Sequence, residues 1–184
     1  MFATHQPIIG HFAKKSPENT WKLLAMVQAS IKMKFYRLPD LLKNPEHLMA
    51  RQREYIAEYW TRRNEIYATL HSNESTREKM RYLVELPGLG IPKAGFVMQL
   101  AHGTVGCLDT HNLERYGLSA KAFRSSGCTT QRLTERLDTY LHTCQSIGCA
   151  TLWDTWCEYV AALYPKHFTG AEHVSQLHVD LIVY

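Results

Sequence analysis

The pentapeptide Leu86-Pro87-Gly88-Leu89-Gly90 constrains the fold more than any other feature, because it places a tight turn between two stretches of helical sequence. Proline removes a backbone donor and fixes its own φ, while glycine opens backbone angles closed to other residues, so the preceding helix must end here. A new helix can start at once. Pro92 suits its first position, Ala94, Phe96, Val97, Leu100 and Ala101 follow helical spacing, and Gly103 suits a left-handed terminator. Residues 81–103 are therefore expected to form a helix, a hairpin and a second helix.

The remaining sequence is helical in the same terms. Ser16-Pro17-Glu18 places a hydroxyl cap before proline, and Trp21, Leu24, Val27, Ile31 and Phe35 predict a helix of about five turns. Asn44-Pro45-Glu46 repeats the start signal for one long amphipathic helix reaching Leu70, and Ser75-Thr76-Arg77-Glu78 has capping-box form. Asp109 and Thr110 offer caps for a short helix, Thr130 starts another through Cys144, and Leu152 to Leu163 completes the set. Only His178 to Tyr184 alternates like a strand, and a lone strand cannot form a sheet. The expected class is all-α, in one unit spanning 1–184.

Composition narrows the partners. Residues 1–93 carry 15 Lys and Arg against 9 Asp and Glu, whereas 94–184 carry 6 against 8, so the first half is basic. Cations that neutralise phosphates release condensed counterions, which makes a basic half suited to a polyanion. No basic leader with a long apolar run opens the chain, and no segment holds the roughly 20 apolar residues that span a bilayer. No membrane partner is expected, and the location read from this is cytoplasmic, in the host cell if the chain is phage-encoded, or nuclear. The five cysteines have no CxxC pairing, which argues against a disulfide framework or a standard zinc site.

Leu108-Asp109-Thr110-His111-Asn112 follows the hairpin helix, and here the sequence resembles the helix-hairpin-helix (HhH-GPD) DNA glycosylase superfamily. Its members carry a Leu-Pro-Gly-aliphatic-Gly hairpin, a small residue at the place of Ala94, and a catalytic aspartate in a Val-Asp-Thr-His-like context at this interval. The resemblance implies a two-lobed helical fold with a DNA-binding cleft between the lobes, a hairpin at 81–103 and a catalytic loop at 107–113. The physics is compatible: a glycine-rich turn entering a helix aims unpaired amides and a positive dipole end at one point, suited to a DNA phosphate. The target nucleotide is then extruded, because its glycosidic bond is out of reach inside the stack.

On this resemblance Asp109 is the catalytic residue, and a carboxylate there can stabilise the positive charge that develops on the sugar and orient the attacking water. Gly88, Leu89, Gly90, Lys93 and His111 would contact DNA, and Gln28 would enter the base pocket. His111, with Thr110, has the competing role of holding the loop. Bifunctional members place a Schiff-base lysine two residues after the second glycine, where this chain has Pro92. Lys93 stands one position later, a helical rotation of about 100°, and is read as a phosphate contact or a solvated charge. The reading is a monofunctional, divergent glycosylase.

No metal site and no iron–sulfur cluster are expected, since Cys144, Cys149 and Cys157 offer three thiols at unsuitable spacings, although the hairpin leaves room for a monovalent or divalent cation. The expected partner is double-stranded DNA and the expected state a monomer. Two alternatives use the same residues. Glycosylase-like relatives in bacteriophage thymidine-hypermodification pathways are thought to attach an amino acid or amine to activated hydroxymethyl-uracil, and a hairpin retained without catalysis would make a passive DNA-binding module.

Overall fold

The computed structural model of the protein describes residues 16–183, which contain ten α-helices, three short 3₁₀ segments and no strand. The all-α class follows. The helices are α1 (Pro17–Ala29), α2 (Leu38–Lys43), α3 (Ala50–Thr61), α4 (Arg63–Leu70), α5 (Thr76–Glu85), α6 (Ile91–His102), α7 (Thr110–Arg115), α8 (Thr130–Ile147), α9 (Cys149–Leu163) and α10 (Ala171–Val183). No described helix is long and apolar enough to cross a membrane.

Helix α1 is the hub, because its second half is enclosed on every side: residues 23–29, apolar apart from Gln28, are all buried. It packs against α2, α3, α4, α6 and α10, while α5 and α6 pair across the hairpin and α9 joins α7, α8 and α10. A helix without a polar face needs neighbours all round, and the shorter amphipathic helices supply them. At about 1.5–3 kcal/mol per fully buried large apolar side chain, this enclosure is the main stabilising term.

Local chemistry sets most of the ends. The hydroxyls of Ser16, Ser75 and Thr129 each accept from an amide three residues on, and Gly103 (φ 64°) closes α6 in the left-handed region. Pro92 stands one place inside the first residue of α6, which is Ile91.

Three elements differ from the expectation. Helix α1 stops at Ala29 instead of running to Phe35, because the Ser30 hydroxyl donates to Val27 O at 2.7 Å and Lys32 turns the chain with φ 59°. The long second helix is divided. Pro45–His47 is a 3₁₀ turn, α3 starts only where Gln52 Oε1 accepts from the Met49 amide (3.1 Å), and Arg62 breaks α3 from α4. The described part of the strand-like segment, 178–183, is helical. Val174, His178 and Leu181 recur at helical spacing and α10 lies on α9 and α1, where the helix buries apolar surface that a lone strand would expose.

Candidate active-site cavity

The hairpin satisfies its tight turn at one glycine. Gly88 has φ 77°, and a Cβ there would meet Tyr55 Cδ2 at 2.5 Å and Gln28 Oε1 at 3.0 Å, so both backbone and space require glycine. Gly90 (φ −94°, ψ 175°) is ordinary extended backbone with room for a side chain, so of the two glycines only Gly88 uses the angles that glycine opens. The Leu89 side chain is buried. Among the described residues, the amides of Gly88, Gly90, Ile91 and Lys93 donate to no protein group, and the first α6 bond is Ala94 N–H to Gly90 O (2.9 Å). Four free amides thus cluster at the positive end of α6.

Asp109 caps α7. Its Oδ1 accepts from Asn112 N–H at 2.9 Å, and its other oxygen makes no hydrogen bond among the described residues. The loop before it is tied at almost every polar atom. Tyr140 OH donates to Gly106 O (2.7 Å) and accepts from Leu108 N–H (3.0 Å), Gln99 Oε1 accepts from Cys107 N–H (3.1 Å), and Asn112 Nδ2 donates to Cys107 O (2.8 Å). The Cys149 thiol donates to Val105 O (2.8 Å). Gly95, inside α6, lets this clamp close, since a Cβ there would strike the Tyr140 hydroxyl and Gly106 O. A buried network in which every group is satisfied holds a loop in one geometry.

Asp109 and Lys93 line one cavity of about 180 Å³ between α6, α9, α10 and the turn after α1. Lys93 Nζ donates to Ser30 Oγ at 3.1 Å and lies 5.4 Å from the centre of the Phe96 ring, so this half-buried lysine is held against the cavity wall. Its reach follows from the early end of α1, which leaves Ser30 free to accept. The walls are largely aromatic: Phe35, Phe96, Trp153, Trp156, Tyr159 and Tyr164. A cavity of about 150 Å³ accommodates benzene, so this one suits a single planar ring. Cys107 also reaches the wall, but burial pushes its thiol up to about 12, so no thiolate nucleophile is present at neutral pH.

The other anticipated residues lie apart from the cavity or at its edge. Gln28 is buried and absent from the cavity lining; its side-chain amide meets the Tyr59 hydroxyl (3.2 Å), which also donates to Pro87 O, so it braces the hairpin from behind. His111 stacks on Tyr159 with ring centres 3.6 Å apart, and its Nε2 is buried without a hydrogen bond. It thereby steadies one cavity wall. The basic side chain of Arg62 is engaged by Glu65, Glu58 and Tyr82.

Sequence reasoning missed Ser30, Tyr140, Gln99, Asn112, Trp153, Trp156 and His178. Asn112 could have been found from its place in the Asp109 motif; the others come from distant elements. Among the described residues, no group of three or more His, Cys, Asp or Glu is placed to hold a metal ion. The chain matches no family model, no curated protein and no solved structure.

Proposed function

We propose that the protein is a glycosylase-like DNA enzyme that grips the backbone with its 88–93 hairpin, extrudes one nucleotide into the Asp109 cavity and cleaves the N-glycosidic bond. The observation that carries this reading is the pairing of a rigidly held carboxylate with a cavity of single-ring size, next to a cluster of free amides. The two-lobed arrangement belongs to the same proposal, with α6 and the 105–109 loop on one side of the cavity and α1, α9 and α10 on the other.

Each part has a chemical task. The free amides bind a phosphate and position the duplex without reading its sequence. Aromatic walls replace the stacking lost on extrusion. The unbonded oxygen of Asp109 faces developing positive charge at C1′ and orients water. Water oxygen bonds to C1′ as the C1′–N bond breaks, its electron pair leaves with the base, and the released proton passes through Asp109 to the departing base.

A second reading draws on Lys93. An ammonium inside the cavity is unnecessary for water attack at C1′, but it would offset the charge of a phosphorylated base. In that reaction an amine attacks the methylene of pyrophosphorylated hydroxymethyl-uracil, the C–O bond breaks, pyrophosphate leaves with the electron pair, and Asp109 takes the amine proton.

Mass spectrometry separates the readings. The protein is incubated with duplexes containing uracil, alkylated or oxidised bases, hydroxymethyl-uracil, or its pyrophosphorylated form with candidate amines. Free base and an abasic site are the expected result. A mass gain on the activated base would replace hydrolysis with transfer, and bound but unchanged DNA throughout would refute catalysis in favour of a passive binding module.

A further inference from the structure

His178 is the most enclosed ionisable group on the cavity wall and has no part in the reaction above. It is 1% exposed, stacked on Phe35 with centres 4.5 Å apart, and edged by Trp153 at 4.7 Å and Trp156 at 5.3 Å. Its ring lies 3.0 Å, through Nδ1, from the carbonyl of Val174. A carbonyl only accepts, so Nδ1 must carry the proton. Burial pushes the imidazole down to about 3, with the nearby Lys93 charge adding to the effect, so the ring is neutral at physiological pH. The remaining nitrogen, Nε2, then presents a lone pair and has no hydrogen-bond partner among the described residues.

Nε2 is not sealed from the cavity, so a ligand that covers it without supplying a donor would lose about 1–3 kcal/mol. The cavity suits one ring, and its aromatic lining suits a planar one. Lys93 adds a donor to the same cavity, with Ser30 accepting one of its hydrogen bonds. A lone-pair acceptor and an ammonium donor together complement a ring N–H beside a carbonyl. Uracil and thymine present that pair, whereas cytosine has the same shape but an unprotonated ring nitrogen beside an amino group.

We infer that His178 determines base specificity: its Nε2 accepts the ring N–H of a dioxopyrimidine while Lys93 donates to the adjacent carbonyl. This rests on the cavity receiving an extruded base, and it adds the class of base received. His178 touches the base and not the reacting bond, so its loss changes discrimination before it changes chemistry.

The test uses the full chain and two kinds of probe. Free uracil and free cytosine at millimolar concentration are titrated against the fluorescence of Trp153 and Trp156, and duplexes bearing one uracil or one cytosine mismatch are titrated by anisotropy. Wild type is expected to favour uracil over cytosine by about ten-fold or more as the free base, from the 1–3 kcal/mol attached to an unpaired buried group. His178→Phe, which keeps an aromatic ring in the cage, is expected to bring that ratio to within about three-fold. Equal response of wild type to the two free bases, or no response to either, overturns the inference and needs no variant that folds. A His178→Phe protein with the wild-type ratio also overturns it. Discrimination between free bases without any duplex binding supports His178 and refutes the DNA reading instead.

Discussion

Asp109→Asn is expected to leave the fold intact and reduce product formation by about 10²–10⁴ at saturating DNA, the range lost when a positioned proton-transfer or charge-stabilising group is removed. The separation of effects comes from the two oxygens of Asp109. One caps α7 through Asn112 N–H at 2.9 Å, and asparagine caps a helix about as well as aspartate. The other is the oxygen assigned to the reaction, and the amide brings no negative charge to C1′. Thermal unfolding should therefore shift by no more than about 1 kcal/mol, or about 2–4 °C for a chain of this size. Duplex binding should be unchanged or slightly tighter, since one charge facing the phosphates is lost. Asp109→Ala would lose both roles, adding about 1 kcal/mol of destabilisation. Product formation by Asp109→Asn within three-fold of wild type would remove Asp109 from the mechanism.

The largest stability effect is expected from Tyr140→Phe. Tyr140 is wholly buried, and its hydroxyl both donates to Gly106 O and accepts from Leu108 N–H. Removing one oxygen orphans the buried Leu108 amide at about 1–3 kcal/mol and leaves Gly106 O with only the weaker Cys144 thiol donor (3.5 Å), a further loss of about 1 kcal/mol, so about 2–4 kcal/mol is expected in all. In a protein of this length that lowers the melting temperature by about 5–15 °C. The same change frees the loop just before Asp109, so activity measured well below the transition should also fall. Calorimetry reads the first effect and the product assay at low temperature the second. A melting temperature within about 2 °C of wild type would show that water replaces the hydroxyl and that the clamp does not hold the loop.

These two residues also mark where the sequence was legible and where it was not. Asp109 stands in a local motif at a fixed interval from the hairpin, and its capping role depends only on the next three residues. Caps at Ser16 and Ser75, and the stop at Gly103, were readable for the same reason: their chemistry is complete within one turn. Tyr140 has no such local signal, because its partners lie 32 and 34 residues away. His178 was hidden further by its setting, since Val179, Leu181 and Val183 alternate while Val174, His178 and Leu181 follow a helical period. A short apolar run supports both patterns, and only packing on α9 and α1 selects the helix.

Lys93 illustrates a different difficulty. Lys93 stands one helical position after Pro92, but whether it meets the cavity was set by the end of α1. That end depends on Lys32 at φ 59°, a conformation that nothing in the side chain of lysine announces. Gln28 reads in sequence as a polar residue of an early helix, and the fold uses it to brace Tyr59 behind the hairpin.

The most direct test of the account is whether a base leaves the duplex on binding. A 2-aminopurine placed beside the target base fluoresces when its neighbour is unstacked, and it can be titrated with the full chain on duplexes bearing uracil, thymine or hydroxymethyl-uracil. A saturable rise in fluorescence that tracks binding measured by anisotropy is expected, together with quenching of the cavity tryptophans. Binding at the same affinity with no rise on any duplex would mean that the cavity never receives a base, and would contradict the assignment of Asp109, Lys93 and His178 to a common site.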